Sequence, residues 1–338
     1  MSRVLLTGGA GPIGAAIAQR LLADPRYDVR VFDGRATPLW MREGCEIREG
    51  DLRSPADAHR ATDGCSVVVH LATHAPSEAE ADAQPYSVIE HENAIHAAVV
   101  GAAVEESVER LVYVSSAAVI ERAERLPTPE LEIRDCPAPR SARAFARLSG
   151  ERYCLAAREQ RELPVTICRP SAVYGAIASA GGAPGALPGA GEPGVESLIG
   201  ELLAAALAGE PSFDLIGTPA RTLTPTHIED VADGIVLALS SPGARNEDFN
   251  LAGARELTLA ELAHLACDAA RADPAALELK AGIDGAEGDP ADAQRSWPSA
   301  QKALDVLGWE THVTLKDGLA RTAHSLGQAS DGRIGVPM

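Results

Sequence analysis

The chain has 338 residues, of which 46% are hydrophobic and 23% charged. That is ample for a sizeable core and excludes low-complexity disorder. Its 30 basic residues stand against 48 acidic ones, a net charge of −18, and backbone-driven nucleic-acid binding or attachment to an anionic membrane surface needs the opposite sign.

No run approaches the roughly 20 apolar residues of a membrane-spanning helix, and the opening Met1-Ser-Arg-Val-Leu-Leu-Thr-Gly-Gly carries no cleavable leader pattern. Six scattered cysteines include no Cys-x-x-Cys pair. They read as buried reduced thiols in a cytoplasmic protein, with no metal site expected.

In chain order, Val4-Leu5-Leu6 is a short apolar run ending in glycines, and Ile13 to Ala23 carries apolar residues at helical spacing up to Pro25. Val29-Arg-Val-Phe32 and Ser66 to Leu71 read as strands. A helix over Asn93 to Val108 precedes the strand Arg110 to Ser115, and a helix over Ser141 to Glu162 precedes Val165 to Cys168. Strands alternating with helices of this length predict βαβ units in a doubly wound, Rossmann-type parallel sheet. Residues 176–195 are dense in glycine and proline and read as a surface loop. The expected division is a dinucleotide-binding domain over 1–175, with a contribution from about 221–250. A smaller substrate lobe then takes 176–220 and 251–338.

Gly8, Gly11 and Gly14 follow the first strand and open the first helix in Gly8-Gly-Ala-Gly11-Pro12-Ile13-Gly14. A tight turn, a close approach to pyrophosphate and close helix–sheet packing each exclude a Cβ, and a helix N-terminus attracts phosphate. Asp33 closes the second strand, where a carboxylate accepts from an adenosine ribose and repels a 2′-phosphate, favouring NAD over NADP. Arg35, two residues on, pulls the other way. Asp51-Leu52 and Leu71-Ala72-Thr73 fall at spacings suited to adenine and ribose contacts.

These residues together resemble the extended short-chain dehydrogenase/reductase family, in its NAD-dependent epimerase/dehydratase branch. The resemblance rests on Thr7 to Gly14, Gly50-Asp51-Leu52, His70-Leu71-Ala72, Asn93, Tyr113 to Val119, Leu163 to Pro170, Val173-Tyr174-Gly175, His227 to Ala232 and the ending from Leu307 to Leu319. It implies NAD bound by the glycine turn with Pro12, Ile13, Asp33, Arg35, Asp51, Leu52, Leu71, Ala72, Thr73, Pro170 and Val173. It also implies a small-molecule substrate such as a nucleotide sugar, and a homodimer built from helices near residues 93–106 and 142–160.

The family uses a serine after the fifth strand and a Tyr-x-x-x-Lys pair on the next helix. Ser116 matches the serine. Counting back from Leu163-Pro164 through Glu151, the pair falls on Arg143 and Arg147. No realignment restores it, because Lys280, Lys302 and Lys316 have Ala276, Pro298 and His312 four residues upstream. Arginine keeps its proton at any working pH, so Arg143 cannot exchange one as tyrosine does. Arg147 can still donate to ribose hydroxyls. Residues 143, 147 and 151 share a helical face, and two guanidinium groups there suit a carboxylate or phosphate. Leu223 stands where the family commonly has a diphosphate-gripping arginine, with Arg221 two residues away.

Among other acid–base candidates, His74 follows the fourth strand and has a suitable reference pKa of about 6.5. Tyr153 points away from the Glu151 face. The catalytic candidates are therefore Ser116, Arg143, Arg147 and His74. Three functions are compatible with them: an NAD-dependent redox, epimerase or dehydratase enzyme on a hydroxylated, neutral or anionic substrate; a redox-inactive NAD-binding sensor or scaffold; and a non-redox enzyme on the same fold.

Overall fold

The computed structural model describes residues 1–74, 81, 83–175, 195–215, 218–280 and 294–330. Its centre is a seven-stranded sheet of β1 (Ser2–Thr7), β2 (Tyr27–Asp33), β3 (Glu46–Glu49), β4 (Val67–His70), β5 (Arg110–Val114), β6 (Val165–Pro170) and β7 (Asp248–Leu251). The order is β7-β6-β5-β4-β1-β2-β3, with every neighbour parallel. β1 therefore pairs with both β2 and β4, so the chain reverses direction across the sheet beside the carboxyl end of β1. In open parallel sheets that crevice is where ligands bind.

Val4, Leu5, Leu6, Val68 and Val69 are fully buried because helices cover both faces. One face carries α1 (Pro12–Leu22), Met41 of α2 (Leu39–Gly44), and α7 (Ile228–Ser240). The other carries α3 (Pro55–Thr62), α4 (Pro85–Glu105) and α5 (Ala142–Arg161). Gly11 is the extended N-cap of α1 and Pro12 its first residue, where a missing N–H costs nothing and φ is already helical. Ser141 caps α5 by accepting from the Ala144 N–H at 3.2 Å.

A separate apolar cluster gathers Leu202 and Leu203 of α6 (Val195–Ala208), Leu259 and Leu262 of α8 (Leu259–Ala270), and Leu319 of α10 (Leu315–Ser330). Between α8 and α10, α9 (Gln301–Leu307) lies against the sheet with Ala303 buried. The glycine- and proline-rich stretch 176–195 lies outside the described residues except for Val195, which opens α6.

Two differences from the sequence reading have simple causes. The helix expected from Asn93 begins at Pro85, which fits a first-turn position. β3 has no apolar run to announce it: Glu46-Ile47-Arg48-Glu49 is an edge strand, and charged side chains suit an edge. Among the described residues, no helix is long and apolar enough to cross a membrane.

Candidate active site

The glycine turn is tightest at Gly8 and Gly14, where a side chain would strike backbone. Gly8 has φ +69°, and a Cβ there would stand 2.7 Å from Ala72 Cα. At Gly14 a Cβ would stand 2.5 Å from Gly9 Cα, and at Gly11 2.9 Å from Arg35 Nη2. Such contacts leave the backbone bare at the helix N-terminus, as an approaching phosphate requires. Asp33 is buried and holds the turn in shape: its carboxylate accepts from the Ala10 N–H at 2.9 Å and the Arg35 N–H at 3.0 Å. Arg35 folds back on it, with Nε 3.2 Å from Oδ1. Pro12 and Ile13 are half-buried in the first turn of α1.

Asp51 is exposed and paired with Arg53 at 2.6 Å, and that bond lowers its pKa below the usual carboxylate value. Leu52 beside it is buried under the sheet edge.

The loop after β4 is pinned from beneath at two points. The Thr7 hydroxyl oxygen accepts from the Leu71 and Ala72 N–H groups at 3.2 and 3.3 Å. Glu92, on α4 and 3% exposed, accepts from the Thr73 hydroxyl and from the His74 N–H at 2.6 Å. Leu71 and Ala72 are thereby buried, while Thr73 and His74 reach the surface. The His74 ring meets His91 edge-on, with centroids 4.7 Å apart. Burial pushes the Glu92 carboxyl up, but Arg147, His96 and the Thr73 bond outweigh it and hold its pKa at about 2.

On the far side, Ser116 Oγ accepts from the Ala118 N–H at 3.2 Å and caps a short turn over Ala117–Ile120. Arg147 Nη1 donates to the Val114 carbonyl at 3.3 Å, beside Ser115 and Ser116. Arg143 is half-buried one helical turn earlier. Glu151 does not join that pair: 1% exposed, it accepts from Ser115 Oγ at 2.6 Å and from Arg169 Nε and Nη2, both at 2.8 Å. Arg169 continues to Asp248 at 2.8 Å, and Lys302 of α9 reaches Asp248 at 2.7 Å. This buried chain of alternating charge fixes the floor under Ser115. Pro170 ends β6 and Val173 follows, both buried.

The fold thus gathers Gly8, Gly11, Asp33, Arg35, Leu71, Ala72 and Thr73 around the end of β1, with Ser116 and Arg147 at the end of β5. Glu92, Thr7 and His96 were missed by sequence reasoning. No local signal set them apart, because Glu92 lies among Glu90, His91 and Asn93 and His96 is a lone histidine one turn on. Leu223 is buried in a two-residue strand paired with Leu257, so it presents no charge to a diphosphate.

Residues 4–252 match the NAD dependent epimerase/dehydratase family. The chain belongs to that family, and its cofactor is NAD. Its relatives include a UDP-glucose 4-epimerase of Mycolicibacterium smegmatis, 30% identical over 95% of this chain and 97% of the relative. In fold it is similar to a UDP-glucose 4-epimerase of Thermotoga maritima solved with UDP-glucose, at TM-score 0.81 and 24% identity over 97% of this chain and 99% of that one. It is also similar to a UDP-glucuronic acid 4-epimerase of Bacillus cereus solved with UDP-glucuronic acid and NAD, at TM-score 0.79 and 20% identity over 97% and 99%. The residues present fit the dinucleotide: Gly8 and Gly14 admit no Cβ against the backbone around them, and Gly11 leaves the N-terminus of α1 bare beside Arg35.

Proposed function

We propose that this chain is an NAD-dependent enzyme of the epimerase/dehydratase type, acting on a nucleotide-sugar-like hydroxylated substrate through an altered proton-transfer site. One observation carries the alteration: none of the five tyrosines stands on the Arg143–Arg147 face of α5. Tyr27 opens β2, two strands beyond β4, and Tyr86 is 73% exposed and bonded to Glu90. Tyr113 lies beneath α5, donating to the Arg147 carbonyl at 3.1 Å. Tyr174 is buried against His227 and Gly318. Tyr153 is exposed on another side of α5.

In this reading the turn at Gly8, Gly11, Pro12, Ile13 and Gly14 holds the pyrophosphate, and Asp33 with Arg35 meets the adenosine ribose. Asp51 and Leu52 flank the adenine. Leu71, Ala72, Thr73, Pro170 and Val173 line the path to the nicotinamide, whose ribose takes hydrogen bonds from Arg147. Bound NAD supplies a hydride acceptor and donor. Ser116 positions a substrate hydroxyl, and an oxygen that accepts one backbone bond still has its own proton to donate. Arg143 anchors an anionic group, which suits a sugar bearing a carboxylate, as in the Bacillus cereus neighbour's UDP-glucuronic acid. His74, exposed at the rim, exchanges the proton that tyrosine moves elsewhere in the family. The same reading places residues 1–175 and about 221–250 in the cofactor domain and the α6–α8–α10 cluster in the substrate lobe. Two copies then meet through α4 and α5, where Phe145 and Tyr153 are exposed.

The test is conversion of a panel of nucleotide sugars, with and without a carboxylate, in the presence of NAD, with products separated by chromatography. Turnover of an acidic member is expected, with Arg143→Ala raising its KM more than it lowers kcat. NAD binding without conversion of any nucleotide sugar contradicts the proposal and favours a sensor or scaffold.

A further inference from the structure

Beneath the loop after β4 runs a continuous line of buried polar groups: Thr7, His70, His96 and Glu92. Thr7, His70 and His96 are fully buried and Glu92 nearly so. Thr7 Oγ1 lies 2.8 Å from His70 Nδ1, and His70 Nε2 lies 3.0 Å from His96 Nδ1. His96 Nε2 then faces Glu92 Oε2 at 3.2 Å and the Tyr113 hydroxyl at 3.3 Å. Glu92 Oε2 has no aligned hydrogen bond among the described residues, so it meets His96 as a close contact between a carboxylate and a ring N–H.

Counting donors and acceptors gives every link a direction. At one end the Thr7 oxygen already accepts two backbone N–H groups. Its single proton therefore goes to His70 Nδ1, which must be unprotonated. A neutral His70 then carries its proton on Nε2 and donates to His96 Nδ1. At the other end Tyr113 spends its proton on the Arg147 carbonyl, so its oxygen can only accept. Glu92 is ionised and also only accepts. His96 Nε2 must therefore be the donor. Both ends, read separately, give the same polarity, and burial independently favours a neutral His70 by lowering its pKa.

We propose that Thr7–His70–His96 is a one-directional hydrogen-bond relay that ends against Glu92 and Tyr113 and joins the glycine turn to the Arg147 segment of α5 through the Tyr113 hydroxyl, with Glu92 as a positioning residue for Arg147. Among the described residues, the groups shown against Glu92 are donors, namely the Thr73 hydroxyl, the His74 N–H and His96 Nε2, and the Arg147 charge lowers its pKa as well. The carboxylate thus fixes the loop that lies against Gly8, while His96 meets the Tyr113 hydroxyl that holds the Arg147 carbonyl. Thr7 holds the same loop from the other side. Arg147 and the glycine turn are then set by one rigid network. The positioning role rests on the reading above that Arg147 meets the cofactor ribose.

The test starts with wild-type protein labelled with ¹⁵N at histidine and assigned through the backbone, with the tautomers read from ring nitrogen shifts. Neutral rings with the proton on Nε2 are expected at both His70 and His96. A proton on Nδ1 of either, or a doubly protonated ring, overturns the relay. Adding NAD should shift both ring signals, and unshifted signals overturn the link to the cofactor. Glu92→Gln should raise the Kd for NAD about tenfold, and wild-type affinity overturns the positioning role. Should E92Q fail to fold, the wild-type tautomers and their response to NAD still decide. Arg147→Ala, run alongside, separates the two claims. If it binds NAD as wild type does, the reading of Arg147 falls and the positioning role with it, while the wiring stands on the tautomers. If it loses affinity and E92Q does not, only the role of Glu92 falls.

Discussion

Gly150 and Tyr113 are fitted to one another: a Cβ on Gly150 would stand 2.1 Å from the Tyr113 hydroxyl oxygen and 2.5 Å from its Cζ. The bare turn of α5 lets the helix settle over the tyrosine, whose hydroxyl then reaches the Arg147 carbonyl. α5 carries both Arg143 and Arg147, so their height above the sheet is set by this contact. Gly150→Ala should destabilise the fold by about 1–3 kcal/mol through overpacking, measured by denaturant midpoint. Tyr113→Phe in the same chain, which removes the clashing oxygen, should recover part of that loss. Equal stability of Gly150→Ala and wild type would show that α5 sits elsewhere.

Gly8 tests the cofactor cradle. Its φ of +69° strains any side chain, and the added carbon would meet the Ala72 backbone. Gly8→Ala should therefore push the β1 and β4 ends apart and weaken NAD binding by about tenfold or more, read by calorimetric titration. Unchanged affinity would place the dinucleotide somewhere other than this turn.

His227 gives a pH dependence with a definite sign. It caps α7 by accepting from the Glu229 N–H at 3.3 Å, against Tyr174, with Arg321 3.2 Å from Nε2 and Glu229 and Arg20 also in its field. Burial, and then Arg321, lower its pKa to about 4, whereas an unfolded histidine titrates at about 6.5. Below the unfolded value the unfolded chain binds the proton more readily than the folded one. This contribution to stability is therefore complete above about pH 6.5 and is lost as pH falls toward about 4. His227→Asn keeps a capping side chain and should flatten stability across that window in urea melts at stepped pH. A slope identical to wild type would assign the acid sensitivity to other groups.

Much of this was legible in the sequence because it depends on local pattern. The glycine spacing, Asp33 at a strand end and the apolar strands fix the sheet and the nucleotide crevice. The missing Tyr-x-x-x-Lys was a matter of counting. Glu92, His96 and Tyr113 were not legible, since their meaning depends on α4, α5, β4 and β5 lying together. In the sequence Glu92 is one more acid in an acidic chain, and His96 one more lone histidine. Glu151 shares a helical face with Arg143 and Arg147 in the sequence, but its partner could not be read there, since Arg169 on a distant strand claims both its oxygens. β3 was invisible because an edge strand need not be apolar.

The central claim is that an arginine holds the cofactor where the family has a lysine, and the most direct measurement is calorimetric titration of NAD into wild-type protein and Arg147→Ala. Wild type should bind NAD more tightly than NADP, and Arg147→Ala should raise the Kd for NAD about tenfold with its melting temperature little changed. Equal affinity of the two proteins for NAD would contradict that claim.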